Sequence, residues 1–132
     1  MTANQDWAAL IGRILLAAIF IQTGFQKITD FAGTVAFTAS AGLPLPEVAV
    51  ALAIAIELGG GLLLLVGYRA RLAALAIAVF CLVAAFVFHR YWSLPADKQL
   101  LDYVFFWKDL AIAGGMLVVF AFGPGRLSLD KA

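Results

Sequence analysis

The stretch Val48–Val66, VAVALAIAIELGGGLLLLV, is a long apolar run with a single charge, Glu57, near its middle. At about 1.5 Å per residue, a helix of this length crosses most of a ~30 Å hydrocarbon core. A carboxylate at the centre of such a helix costs roughly 2.5–3.5 kcal/mol on insertion scales, and more if it has no partner. The run therefore predicts a membrane helix, and a polar group elsewhere in the chain that meets Glu57.

The composition supports a membrane protein and excludes several other classes. Of the 132 residues, 64% are hydrophobic and only 13% are charged, whereas soluble domains carry about 25% charged residues. The net charge of +1 gives no sign of a nucleic-acid partner. The single cysteine, Cys81, excludes an internal disulfide and a Cys-x-x-Cys redox pair. We expect one integral-membrane domain, residues 1–132, in a lipid bilayer.

Three further apolar segments are long enough to cross a bilayer, so the predicted fold class is all-α, a four-span transmembrane helix bundle. The first segment lacks the basic leader and cleavage site of a signal peptide and is expected to be retained. The short link Gly67–Arg71 predicts a tight hairpin, which makes the second and third spans antiparallel neighbours. The predicted spans cover residues 7–26, 48–66, 72–88 and 103–122.

Two of the predicted helices have one face that is expected to look inward. Residues spaced by three, four and seven lie on one face of a helix, and small residues on such a face allow close helix contact. In the first span this inward face comprises Arg13, Ala17, Phe20, Gly24 and Lys27. In the third span the small-residue face comprises Ala70, Ala74, Ala78, Cys81, Ala85 and His89.

A short interfacial helix is predicted between spans one and two. Asp30 is a suitable N-cap for residues 31–41, which are too few to cross the membrane and too apolar for an ordinary loop. Gly42–Pro46 then stops this helix and turns the chain. We expect it to lie in the interface or over the mouth of the bundle.

Beyond Glu57, five charged or titratable side chains are candidate ligand-binding residues: Arg13, Lys27, His89, Lys108 and Asp109. Counting about 1.5 Å per residue from the ends of the predicted spans puts the last four in the half of the bundle away from the termini. A Glu57–Lys108 ion pair is geometrically possible there. Arg13 either pairs with Glu57 or extends towards the nearer interface. Glu57, Lys108 and His89 are the candidates for a catalytic role, but no catalytic residue is assigned.

Two interpretations of these charges remain open. Intramembrane ionisable residues are by default functional, here lining a polar cavity for a small molecule. Alternatively, the protein is a non-enzymatic scaffold or subunit in which a buried ion pair only fixes helix packing. For the binding interpretation, candidate walls are Phe86, Phe105, Phe106 and Trp107, which could equally form an interfacial aromatic belt. A transporter is disfavoured because the four spans show no internal repeat.

No cofactor signature is present in the sequence. No His, Cys or carboxylate spacing fits a metal site, and no glycine-rich loop follows a strand. With no sign of flavin, haem or metal, any electron transfer would need a cofactor or redox protein partner from elsewhere.

The orientation follows from the basic residues. An even number of spans puts both termini on one side, with Arg69, Arg71, Arg126 and Lys131, while the opposite loops hold Lys27, Arg90 and Lys98. The positive-inside rule therefore favours cytoplasmic termini by a small margin.

Seven motifs in order along the chain resemble the DoxX family of bacterial inner-membrane proteins. Thr23 stands where the family often has Ser, and Asp109 where it often has Asn. The motifs are Gly12-Arg13, Thr23–Lys27, Ala39–Pro44, Ile56–Gly61, Phe88–Trp92, Trp107–Gly115 and Gly123–Asp130.

This resemblance implies a four-helix bundle in the bacterial inner membrane, linked to oxidoreductase chemistry and quinone or thiol redox stress. On that basis the expected function is a redox-associated component that binds a quinone-like or other small hydrophobic molecule, with quinone the only cofactor indicated. Whether the protein is an enzyme or a subunit of one, and whether it forms a homo-oligomer, is left open. The family supplies no catalytic residue to carry over.

Overall fold

The computed structural model describes residues 2–130, so Lys131, which the orientation prediction counts, lies outside the described residues. Within this range the chain is helical and has no strand. Four helical segments are long and apolar enough to cross a membrane, which confirms the predicted fold class. The helices are α1 Ala3–Thr29, α2 Phe31–Ser40, α3 Pro46–Ile54, α4 Gly60–Val66, α5 Ala70–Phe88 and α6 Gln99–Phe122.

The second span, Pro46–Val66, is one continuous helix with a defect at its centre. A π-helical turn, Ala55–Gly59, separates α3 from α4 and carries Glu57. Such turns insert an extra residue into an α-helix and are frequent at functional sites. The sequence run did not reveal this turn, which rotates the two halves of the span relative to each other.

Helix ends account for the differences from the predicted bounds. The first helix begins at Ala3 rather than Trp7 because Thr2 caps it, with a reciprocal capping box between Thr2 and Gln5. At the other end of that helix, Asp30 accepts a hydrogen bond from Gly33 N at 3.3 Å and starts α2, as predicted. The fourth span begins at Gln99, four residues before its predicted start, because its first turn includes the polar residues Gln99 and Asp102 and so extends beyond the apolar run.

The predicted inward faces are buried. Arg13, Ala17, Phe20 and Gly24 are the buried residues of the first span's predicted face, and the alanines of the third span's small-residue face are at most 1% exposed. The core contains Leu64, Ile77 and Met116 beside these residues. The tight hairpin also forms as predicted, with Gly67 at φ 72° and Arg69 at φ 48°. The spacing therefore predicted these buried residues correctly, whereas Lys27 and His89, the last residue of each predicted face, are partly exposed.

Gly24 marks the closest approach of two spans. A Cβ at this position would lie 2.8 Å from Leu58 N, inside van der Waals contact with the backbone of the π-helical turn. Gly24 thus lets α1 lie directly against the turn, and this contact sets how far Glu57 stands from the first span.

We expect Gly24→Ala to lower the free energy of unfolding by about 1–3 kcal/mol, because the added methyl overpacks a backbone contact. Thermal unfolding in detergent measures this. Gly12→Ala is the matched control: it lies on the same helix with no atom within 4 Å of its would-be Cβ, and should be neutral or stabilising by up to about 1 kcal/mol. Equal behaviour of the two variants would contradict the close approach.

Candidate functional site

A cavity of about 790 Å³ lies at the far end of the bundle, the end opposite the chain termini. Its walls come from α1, α2, α3, the π-helical turn, α5 and α6. Phe37 of α2 stacks on Phe88 of α5 with ring centroids 5.5 Å apart, so the short helix closes over one side of the cavity. Charged and titratable groups on an otherwise mainly apolar lining are Lys27, Asp30, Glu57, Cys81, His89 and Asp109.

Glu57 is the most buried charged group on this wall, at 3% exposure. Its Oε1 accepts hydrogen bonds from the Thr23 hydroxyl at 2.6 Å and from Lys27 Nζ at 3.1 Å. Thr23 and Lys27 are four residues apart on α1 and therefore share one face. The first span thus provides both partners of the buried carboxylate.

The second carboxylate oxygen of Glu57 is bound differently. Lys27 Nζ lies 3.0 Å from Oε2, but no hydrogen bond of acceptable geometry reaches this oxygen. The Lys27 ammonium is thus at ion-pair distance from Oε2, but it is not aligned to donate a hydrogen bond to this oxygen. A buried acceptor in this state is rare in folded proteins.

A second polar group stands at the rim of the same cavity. His89 ends the third span, and its Nδ1 lies 3.3 Å from Asp102 Oδ1. Its Nε2 lies 3.9 Å from Asp109 Oδ2. Each of these three side chains is about one quarter exposed. The imidazole is therefore within hydrogen-bond distance of Asp102 only, while Asp109, which lines the cavity, lies near its other nitrogen.

Lys108 lies outside the site, so the predicted Glu57–Lys108 pair is wrong. Its neighbour Asp109 lines the cavity, and successive residues of a helix point about 100° apart. Lys108 is therefore on the exposed surface of α6. Depth counting placed it near the right level, but depth does not fix the rotation of a helix.

Arg13 also lies away from the cavity, at the end of the bundle that carries the termini. It is 2% exposed and donates to the carbonyls of Pro124 at 3.0 Å and Leu64 at 2.9 Å. It further donates to Leu65 at 3.0 Å and to Leu127. The predicted alternative of pairing with Glu57 is wrong, because Lys27 is the partner of Glu57. Arg13 does extend towards the nearer end of the bundle, the second alternative, but it is buried there. The guanidinium instead satisfies carbonyls at the end of α4 and in the C-terminal tail.

The tail is fixed to the same end of the bundle by further contacts. Asp130 accepts from Arg69 N and Ala70 N, both at 2.9 Å, and so caps the start of α5. Its backbone N donates to Gly67 O at 2.9 Å. The segment Gly123–Asp130 is therefore a latch across the terminal end, and we call it the C-terminal latch.

The predicted aromatic walls are not the walls of this cavity. Phe86, Phe106 and Trp107 cluster with Trp92 on another side of the bundle, with Phe106 centroids 5.2–5.5 Å from the other three rings, and Phe105 contacts the His89 ring at 5.2 Å. The aromatic lining of the cavity is Phe20, Phe37, Phe80 and Phe88.

Three site residues were missed by sequence reasoning. Thr23 could have been identified from its position four residues before Lys27, which puts both on one face of the first helix. Asp30 was predicted only as a helix cap. Asp102 was assigned to a loop, whereas it lies in the first turn of α6 and faces His89. Among residues 2–130, no group of three or more His, Cys, Asp or Glu side chains could hold a metal ion.

The fold and the site together define an integral membrane protein with four helical spans and, at one end, a mainly apolar cavity that contains a few charged groups. The chain belongs to the DoxX family, whose model matches residues 8–90. No solved structure matches the chain.

Two Escherichia coli relatives resemble nearly the whole chain. Inner membrane protein YphA is 37% identical, covering 92% of this chain and 87% of the relative. Inner membrane protein YqjF is 37% identical, covering 99% and 95%. A more distant relative, the Surfeit locus protein 4 homolog of Drosophila melanogaster, is 25% identical over 96% of this chain but only 41% of its own length.

Proposed function

We propose that this protein is a redox-associated component of the bacterial inner membrane that binds a quinone-like or other small hydrophobic molecule in the far-end cavity. One observation carries the proposal: a buried carboxylate, Glu57, held by Thr23 and by the partly exposed Lys27, lines a cavity of about 790 Å³ with mainly apolar walls. Apolar walls with a few convergent polar groups are typical of small-molecule sites.

Each polar group then has a definite task. Lys27 and His89 donate hydrogen bonds to oxygen atoms of the ligand, and Glu57 holds the Lys27 ammonium in place. Asp109 orients His89 from the opposite wall. Electron transfer would need a partner or cofactor beyond these side chains.

The alternative is a membrane scaffold whose charges only fix helix packing. The direct contact of Lys27 with both oxygens of Glu57, at 3.0 and 3.1 Å, favours this reading. The cavity beside the pair favours binding, because a pair that served only to fix packing would be enclosed by side chains.

A ligand-induced shift in thermal unfolding tests the proposal. A ligand at 100 times its dissociation constant stabilises the folded state by about 2.7 kcal/mol. A panel of short-chain quinones, hydroquinones and catechols should raise the melting temperature of the wild type, and do much less for Lys27→Met or His89→Gln. Lys108→Met is the matched control, since it removes an exposed lysine outside the cavity, and should respond like the wild type.

If the whole panel leaves the wild type unmoved, binding is wrong and the scaffold reading stands. If Lys108→Met loses the response as fully as Lys27→Met, the site has been placed on the wrong face of the bundle.

For the orientation we propose cytoplasmic termini. Lys27 belongs to the cavity wall, which leaves Arg90 and Lys98 in the opposite loops against the four basic residues of the terminal side. The names of the two E. coli relatives support the inner membrane as the location.

A phosphatase fused at the C-terminus should be inactive and a fluorescent protein there should fluoresce. The reverse pattern would put the cavity on the cytoplasmic side.

A further inference from the structure

The far-end cavity extends sideways between the second and third spans. On the terminal side of the π-helical turn these two spans are in close contact, since a Cβ on Gly60 would lie 3.2 Å from the Ile77 side chain of α5. On the other side of the turn, the close contacts of α3 are mainly with α1 and α2. The turn is therefore where α3 separates from α5 and leaves a gap between them.

Apolar side chains from both helices form the rim of this gap. Leu52 of α3 and Val83 of α5 line the cavity, and both are more than half exposed, at 59% and 54%. Leu52 lies six residues after the start of the second span and Val83 five residues before the end of α5. At ~1.5 Å per residue this puts them about 7–9 Å inside the hydrocarbon core, so the gap faces acyl chains. We call it the lateral window; its walls are Ala49, Leu52 and Ala53 of α3 and Phe80, Val83 and Ala84 of α5.

The side of the cavity between α1 and α6 is less suited to an apolar molecule. Ile19 and Ile112 line it, but Asp109 lies on the same wall of α6. The Asp109 side chain is about one quarter exposed, and a carboxylate turned towards lipid is costly. The walls of the lateral window carry no charge. Charge thus favours the lateral window as the connection between the cavity and the bilayer.

Polar and apolar parts of the cavity lie at different depths. Lys27 is in the last turn of α1 and His89 ends α5, and both side chains are partly exposed. Val83 lies more than one helical turn deeper on α5. The volume of about 790 Å³ is in the upper part of the range of about 300–1,000 Å³ that small-molecule sites span. This arrangement suits an amphiphile with its polar end outermost and its apolar end directed sideways.

We propose that the ligand of this cavity is a membrane-dissolved amphiphile that enters through the lateral window, keeps its alkyl chain there and places its polar head beside Lys27 and His89. This inference rests on the proposed binding function and adds the chemical class of the ligand and its route. The chain gains little hydrophobic energy in the window, because lipid tails are as apolar as the side chains that line it. The window instead decides which molecules fit, since a long chain needs no space inside the bundle.

Binding of one ring with chains of different length tests this route. The probes are methyl, hexyl and decyl benzoquinone, titrated by calorimetry in lipid nanodiscs with concentrations expressed as mole fractions in the lipid. The three dissociation constants should agree within about threefold, because the chain stays in an apolar medium whether the probe is free or bound. Binding of the methyl but not the decyl probe would overturn the lateral route while leaving the binding site in place. Failure of all three probes to bind overturns both proposals.

Variants of the rim localise the chain. Val83→Trp puts a bulky side chain in the window and should weaken decyl binding about tenfold or more, while methyl binding changes by less than about twofold. Val79→Trp is the matched control, because Val79 lies one turn away on the same helix, is 53% exposed and is outside the cavity lining; it should behave like the wild type. Leu52→Trp repeats the test from the α3 side, so the proposal can be judged even if Val83→Trp does not fold.

Two further results would overturn the placement of the chain. If Ile19→Trp weakens decyl binding and neither window variant does, the probe enters between α1 and α6. If the window variants weaken the methyl and decyl probes equally, the ring rather than the chain occupies the window.

Discussion

Replacing Arg13 with methionine is expected to lower the free energy of unfolding by about 2–6 kcal/mol. The guanidinium donates to the buried carbonyl of Pro124 and to the partly buried carbonyls of Leu65 and Leu127, and leaving a buried acceptor without a donor costs about 1–3 kcal/mol. Leu64 O loses the arginine as well but keeps Gly67 N as a donor at 3.2 Å. Arg13→Lys should recover little, because an ammonium lacks the planar fork that reaches carbonyls on two segments at once. Denaturant or thermal unfolding in mild detergent measures the loss.

Arg126→Met is the control for that experiment. Arg126 lies at the same end of the bundle with its side chain exposed, and surface substitutions usually change stability by less than about 0.5 kcal/mol. A loss below 1 kcal/mol for Arg13→Met would mean that the C-terminal latch is not held by this residue.

The second large effect concerns Glu57 and Lys27. Removing one partner of a buried ion pair costs about 3–5 kcal/mol, whereas replacing both partners is often nearly neutral. Glu57→Gln and Lys27→Met should therefore each destabilise the protein, and the double variant should recover part of the loss. Unfolding of the four proteins in a double-mutant cycle gives the coupling free energy, expected at about 0.5–3 kcal/mol.

A second double-mutant cycle, with Lys108 in place of Lys27, tests which lysine is the partner of Glu57: Lys27, as in the structure, or Lys108, as the sequence predicted. Glu57→Gln and Lys108→Met should add within about 0.5 kcal/mol, because Lys108 is exposed and lies outside the cavity. Strong coupling to Lys108 and none to Lys27 would contradict the site described above.

The spans and their inward faces could be predicted because both depend on local pattern. Apolar length gives the four crossings, and spacing by three and four put Arg13 and Gly24 on the buried face of the first span. The cost of a charge in lipid singled out Glu57. These arguments need no knowledge of how the helices are arranged around one another.

The partners could not be predicted for the same reason. Lys27 and Lys108 are both expected in the half of the bundle away from the termini, and only the rotation of each helix decides which one reaches Glu57. The π-helical turn, Ala55–Gly59, adds a rotation that no hydrophobic period reveals. The partners of Arg13 were hidden because two of its acceptors belong to a tail that the sequence showed only as a helix break and a few charges.

The latch also has a bearing on how the protein is made. Arg13 and Pro124 are 111 residues apart, so on the ribosome the arginine is synthesised long before the carbonyls that it will hold. At about 5–20 residues per second this delay is on the order of ten seconds. The carbonyls of Leu64 and Leu65 follow Arg13 by only 51 and 52 residues and can accept from it first. The remaining donors of the guanidinium wait for the tail, so we expect the latch to close late, and a chain cut short before Pro124 would keep a cation in its first helix with only part of its hydrogen bonds.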